Sequence, residues 1–108
     1  LQLVFKVKGI TSTQIPILAL INIFNQIETS KIALLLNLEI STVRRNSSIL
    51  IKKKLIKIVK RDVHGNLLKL TTHGYKKLKE TLPIWKKSNK EGGEFLKNYI
   101  VTLRRILK

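Results

Sequence analysis

Apolar residues recur along this chain with two different periods, and the change of period divides it into elements. From Gln14 to Gln26 they fall at helical spacing, with Ile17, Leu20, Ile21 and Phe24 on one face. Thr13 stands where an N-cap belongs, and Pro16 is tolerated in the first turn. A cap at Thr11, with Gln14 closing a capping box, is the alternative, and it carries Pro16 deeper into the helix. A short second helix is predicted over Ser30–Leu36. Ile32, Leu35 and Leu36 form its apolar side, Ala33 is small enough for another helix to approach, and Asn37 with Leu38 ends it. A third helix begins near Ser41 and runs to about Lys53. Val43, Ser47 and Leu50 step along its inner face, leaving Thr42, Arg44, Arg45, Ser48 and Lys52 outside.

The pattern then changes. Leu55 to Lys60 mixes β-branched, apolar and Lys residues as a strand does, Asp62 to Asn66 is rich in turn residues, and Leu67 to Thr71 returns as a second strand. Thr71 caps a helix from Thr72 onward whose Tyr75, Leu78, Leu82 and Trp85 form a heptad-like seam, with Pro83 expected to kink it. Gly92 and Gly93 separate it from a last helix in which Phe95 or Leu96, Tyr99, Leu103 and Ile106 or Leu107 repeat the spacing. Two short helices joined by a tight turn, followed directly by a hairpin, predict a mainly α protein with a small β-hairpin wing, a winged helix-turn-helix. The two seams, on a chain too small for a large core, predict a homodimer built from C-terminal dimerisation helices. The alternative is that both seams pack on their own domain. The expected division is 1–10 as the remnant of an N-terminal dimerisation segment, 11–74 as the winged unit, and 75–108 as the dimerisation helices. Leu1–Val7 has neither an initiator Met nor the layout of a signal peptide, and reads as the cut start of a longer intracellular chain.

Charge narrows the partner. The 108 residues carry 22 Lys plus Arg against 6 Asp plus Glu, a net charge of +16, while 44% hydrophobic residues leave enough for a core. The excess is concentrated: residues 1–40 hold +1, 41–79 hold +11 and 80–108 hold +4. Lysines such as Lys76, Lys77, Lys86, Lys87 and Lys90 fit a solvated face. The run from Arg44 through Arg61 without an acid calls for a polyanion. A membrane surface would attract a basic amphipathic helix, whereas this run spans a helix and a hairpin. No apolar stretch approaches the roughly 20 residues of a membrane span. Duplex DNA ranks above RNA, because the aromatic residues lie mostly on seams and offer no stacking platform.

Chemistry is excluded more readily than it is found. Two His, six acids and no Cys offer no metal cluster, no thiol redox centre and no supported catalytic triad, and no glycine loop cradles a phosphate. The expectation is no enzyme, no metal and no cofactor, in a cytoplasmic, nucleoid-associated protein.

Several of these residues also resemble the MarR family, the multiple antibiotic resistance regulators, over roughly residues 11 to 87. Gln14 with Ile17, Leu18 and Leu20 resembles the family's opening pattern, Ile32 and Ala33 its Leu-Ala helix, and Ser41, Thr42, Val43 and Arg45 the start of its recognition helix. Leu50, Lys52, Lys53, Leu55 and Ile56 resemble the exit from that helix. Asp62, Val63 and His64, followed by Leu70, Thr71 and Gly74, resemble the wing motif and the entry to the dimerisation helix. The resemblance implies a dimeric winged-helix transcriptional regulator that binds double-stranded DNA. The departures are His64 in place of a wing-tip Arg, Lys54 in place of a Gly, polar Asn46 and Ser47 at apolar positions, and a short Leu55–Asp62 segment that predicts a stubby wing. Residues 1–10 are too short for the family's first helix, so a small-molecule effector is only weakly supported.

The expected mechanism is insertion of helix 41–53 into the major groove. Arg44 and Arg45 can each donate a bidentate pair to guanine, and Asn46 can pair with adenine. Ser41 and Thr42 at the helix start suit a phosphate, with Ser48 on the same exposed side. Lys52, Lys53, Lys57, Lys60, Arg61 and His64 are expected phosphate or wing contacts, the wing 57–70 lying on the backbone or in the minor groove, with Asp62 and Gly65 shaping its turn. The alternative is a basic architectural protein that coats DNA with little sequence preference.

Overall fold

The computed structural model describes the backbone of residues 6–7, 9–63 and 65–88 and the side chains of 9–63 and 65–84. The chain opens with a two-stranded hairpin, β1 (Lys6–Val7) against β2 (Ile10–Thr11), and continues into α1 (Gln14–Phe24). A short strand β3 (Gln26–Glu28) leads to α2 (Thr29–Leu36) and α3 (Ile40–Lys52). The hairpin β4 (Ile56–Asp62) and β5 (Gly65–Leu70) follows, then α4 (Thr72–Ser88). The three later strands form one antiparallel sheet in the order β3-β5-β4, so the hairpin is extended by a strand that sequence periodicity did not reveal.

Of the two possible starts for α1, the capping box forms. Gln14 N–H donates to Thr11 Oγ1 at 3.3 Å and Gln14 Oε1 accepts from Thr11 N–H at 3.2 Å. Thr13 is already in helical conformation and its side chain caps nothing. The helix stops at Phe24, earlier than expected, because Asn25 takes φ 67° and turns the chain into β3. Eight of its eleven residues are buried, so α1 is the central helix and has no single apolar face. Phe24 therefore does not join Ile17, Leu20 and Ile21 inside: it sits exposed at the helix end under the Lys31 ammonium, 4.9 Å from its ring centroid. On α2, Ile32 and Ala33 are buried as expected, but Leu35 is exposed, because the buried side is centred on Thr29, Ile32, Ala33 and the half-buried Leu36, about a quarter turn away from it.

The core gathers Ile10, Ile15, Leu18, Ile21, Ile27, Ile32, Val43, Leu50, Leu55, Ile56, Leu68, Leu78 and Leu82 around α1. Two of these overturn part of the dimer seam. Leu78 and Leu82 are only 1% and 8% exposed within the subunit itself, where α4 packs on α1, so they are core residues and unavailable to a partner. Tyr75 is exposed, with the Lys79 ammonium 5.5 Å from its ring centroid. The Trp85 side chain, Phe95, Leu96, Tyr99 and Leu103 lie outside the described residues. The helix α4 runs through Pro83 to Ser88. Among the described residues no helix is long and apolar enough to cross a membrane, and no three His, Asp or Glu residues cluster as metal ligands would.

One node locks α4 to the hairpin. Thr71 N–H and its hydroxyl both reach the Leu55 carbonyl, at 3.0 and 3.1 Å, and the hydroxyl also donates to the Lys54 carbonyl at 2.7 Å. The same hydroxyl accepts Gly74 N–H at 2.9 Å, the N-cap expected of Thr71. Gly74 is there because nothing larger fits: a Cβ would collide with the Leu55 carbonyl, landing 2.8 Å from its carbon.

Candidate nucleic-acid interface

The helix α3 is presented by two tight helix ends. At the end of α2, Asn37 adopts the left-handed conformation (φ 56°), and Leu38 N–H closes onto the Ala33 carbonyl at 2.9 Å. This stop leaves only Asn37, Leu38 and Glu39 to turn the chain into α3. At the far end Leu55 N–H returns to the Leu50 carbonyl (3.0 Å) and Lys54 N–H to that of Ile51 (2.9 Å), and Leu50 and Leu55 are both buried. The left-handed position is held by Lys54 at φ 61°. A side chain there is strained, so Lys54→Gly is expected to raise stability by about 1 kcal/mol. Thermal unfolding checks this as a rise of about 4–8 °C in Tm, and an unchanged or lower Tm would deny the strain.

Val43, Ser47 and Leu50 are buried, as their spacing predicted. On a helix of 3.6 residues per turn, Ser41, Arg45, Ser48 and Lys52 then form a single stripe on the opposite side, with Arg44 along one edge. All five are exposed, and Thr42 is half-buried. The stripe extends over about 17 Å of a helix slim enough for a major groove. Glu39 is the N-cap residue, yet its side chain makes no cap hydrogen bond. The first turn of α3 is closed by backbone instead, Thr42 N–H and Val43 N–H both donating to the Glu39 carbonyl at 3.0 and 3.2 Å.

Two of the expected contacts are engaged elsewhere. Asn46 is half-buried between helices: its Nδ2 donates to the Thr42 carbonyl at 2.9 Å and its Oδ1 accepts from Gln14 Nε2 at 3.2 Å. Gln14 is 2% exposed, so this pair is a polar tie between α1 and α3 that engages one donor and the acceptor of the Asn46 amide. Lys53 donates its ammonium to the Gly9 carbonyl, which fastens the first hairpin to the end of α3. Ser47 Oγ is buried without a hydrogen-bond partner among the described residues.

The wing is longer than the sequence suggested. Its ladder is paired from Ile56↔Leu70 to Asp62↔Gly65, leaving a two-residue loop, and it spans about 20 Å rather than a stub. Gly65 has φ +111° and lies against Thr29, whose hydroxyl a Cβ would strike. Asp62 accepts Val63 N–H at 2.5 Å, while His64 at the tip lies outside the described residues. Lys57, Lys60 and Arg61 are all exposed. A bulge between Ile58 and Lys60 sets Lys60 opposite Leu67 and Arg61 opposite Asn66. This one-residue shift puts Arg61 on the face of Ile58 and Leu68, and leaves Lys60 on the outer face with Lys57. Lys69, which was not singled out by sequence, pairs directly with Lys57 on that outer face. The signal for it was available in the strand alternation, since Lys69 lies between the inward Leu68 and Leu70.

The structure thus brings together two basic surfaces, the stripe on α3 and the wing. No protein-family model and no curated relative matches the sequence. Solved structures do. MarR from E. coli superimposes with a TM-score of 0.65 at 23% identity, covering 91% of this chain and 75% of that one. MarR from E. coli complexed with operator DNA gives 0.62 at 23% identity, covering 91% and 73%. A mutant of MepR from a multidrug-resistant S. aureus clinical isolate gives 0.65 at 21% identity, covering 95% and 84%. At these identities the likeness is one of fold: the chain has the winged helix-turn-helix architecture of the MarR regulators.

Proposed function

We propose that this chain, a winged helix of the MarR type, is a dimeric transcriptional regulator that reads double-stranded DNA with α3 and grips its backbone with the wing. The observation that carries the reading is the exposed stripe of Ser41, Arg45, Ser48 and Lys52, set on the side of α3 opposite its buried residues and flanked by Arg44. Such a helix offers its first turns to base edges, where a bidentate Arg can select guanine. The positive end of the α3 dipole, with the hydroxyls of Ser41 and Thr42, suits a phosphate at the helix N-terminus. The residues Lys52, Lys57, Lys60 and Arg61 supply phosphate contacts, which position the protein without reading sequence. Asn46 enters this account as a positioning residue, because its amide holds α3 to α1. A neighbour in fold, MarR from E. coli, has been solved in complex with operator DNA, which supports duplex DNA as the partner.

Dimerisation is assigned to the exposed side of α4, where Tyr75 lies, together with the heptad spacing of Phe95 or Leu96, Tyr99 and Leu103, and not to Leu78 or Leu82. The high net charge favours a second reading, an architectural protein that coats DNA.

Titration against mixed-sequence duplex tests the common ground of both. Log affinity is expected to fall linearly with log salt at a slope of about −4 to −6, as for several phosphates per site. No binding at about 150 mM salt would reject both readings and direct the charge to an acidic protein.

A further inference from the structure

We propose that Gln14 is a positioning residue of the reading helix: through Asn46 it ties the N-terminal hairpin to the turn of α3 that carries Arg44 and Arg45, and so sets how closely their guanidinium groups meet base edges. This role rests on the reading of α3 above and deepens it. Gln14 is out of place by hydrophobic burial alone. It is 2% exposed in a helix whose other buried residues are all apolar, where Leu or Met would need no partner. The capping box explains half of its amide, since Oε1 accepts the Thr11 N–H, a task that a Glu performs as well. The other half is what a Glu cannot supply. Gln14 Nε2 donates to Asn46 Oδ1 at 3.2 Å, and Asn46 Nδ2 donates in turn to the Thr42 carbonyl at 2.9 Å.

These bonds run in one direction. They start from a backbone N–H in β2 and end on a backbone carbonyl in α3, groups whose roles cannot be exchanged, so each amide has a single orientation that satisfies both its neighbours. The last link closes on the turn from Thr42 to Asn46, in which Arg44 and Arg45 are exposed. The same hairpin is fastened again at the other end of α3, where Lys53 donates its ammonium to the Gly9 carbonyl. The reading helix is thus held near its start and at its end by one short stretch of chain, Gly9 to Gln14. Satisfied buried polar networks fix one arrangement of the elements they join. Base reading needs such fixing, because a binding group serves only within about 0.5 Å and 10–20° of its productive geometry.

The test measures the ratio of affinity for a selected duplex to affinity for mixed-sequence duplex, since partial unfolding lowers both alike and leaves the ratio unchanged. Gln14→Met keeps the length of the side chain and removes its amide. It is expected to lower the ratio about 10-fold, the order of one base contact, with the loss spread over several positions of each half-site because the helix moves as a body. Asn46→Ala cuts the same tie from the α3 side and is expected to give the same loss, and the double variant no more than either alone, as for residues in one network. Thr11→Val is the control: it removes the hydroxyl that accepts Gln14 N–H but leaves the amide chain, so Tm is expected to fall with the ratio unchanged. Should Gln14→Met unfold, Asn46→Ala at its half-buried position carries the same comparison with Thr11→Val. A loss in one of the two variants but not the other overturns the proposal, as do losses that add in the double variant. An equal fall in Thr11→Val would trace the effect to the start of α1, and a loss in Asn46→Ala confined to one base position would return Asn46 to the bases; either overturns it. A wild-type chain that enriches no duplex defeats the reading of α3 as well, whereas enrichment with the ratio kept in both variants defeats the role of Gln14 alone.

Discussion

Arg45→Ala is expected to weaken binding to a selected duplex by about 10- to 100-fold for each reading helix, the 1–3 kcal/mol of one bidentate base contact, and to relax sequence choice at one position of each half-site. Arg45 is in the middle of the exposed stripe of α3, opposite the buried Val43, Ser47 and Leu50, so removing its side chain opens no cavity. Its Tm should change by less than about 3 °C, as expected of a surface substitution. Mixed-sequence duplex should lose far less, because phosphate contacts from Lys52, Lys57 and Lys60 remain. Asn46→Ala makes the contrast. It cuts the amide tie to Gln14, so its effect should appear first as a loss of about 1 kcal/mol in stability. Competition binding with single-base variants of the duplex distinguishes the two: equal losses on every sequence for Arg45→Ala would make it a phosphate contact only.

The largest effect on stability is expected from Gly74→Ala. Helix propensity alone predicts a gain of about 1 kcal/mol for this change within α4. The structure predicts the opposite sign. The new Cβ would lie 2.8 Å from the Leu55 carbonyl carbon and 3.2 Å from its Cα, both of them backbone atoms that cannot swing aside. Relief requires α4 to back away from the hairpin, which pulls Thr71 off the Leu55 carbonyl and shifts Leu78 within the core. A net loss of about 3 kcal/mol is expected, read as a fall of about 10–20 °C in Tm. A rise in Tm would show that α4 does not seat on Leu55.

Much of this arrangement is legible in the sequence. The α3 inner face was legible because three apolar or small residues at helical spacing leave only one way to bury them. The wing was legible because Asp62, Gly65 and Asn66 are turn chemistry between a β-branched run and a leucine-rich one, and Thr71 as a cap because it stands before a helical seam. What escaped depends on partners distant in sequence. Asn46 reads as a base contact until Gln14, 32 residues earlier, is seen to hold it. Leu78 and Leu82 read as a dimer seam because spacing does not say whether a stripe faces a partner or the subunit's own α1. The strand β3 has one inward residue, Ile27, and exists because β5 offers it an edge. In α1 apolar residues fall all around the helix, so choosing one face placed Phe24 inside when it lies at the exposed end.

Selection from a random duplex library at about 150 mM salt decides whether a dimer of these winged helices reads duplex DNA by sequence. Enrichment is expected of an inverted repeat whose half-sites are about one helical turn apart, bound at least about 10³-fold more tightly than bulk duplex. Binding without enrichment of any sequence would contradict it, and would leave the stripe on α3 as one more contact of a protein that coats DNA.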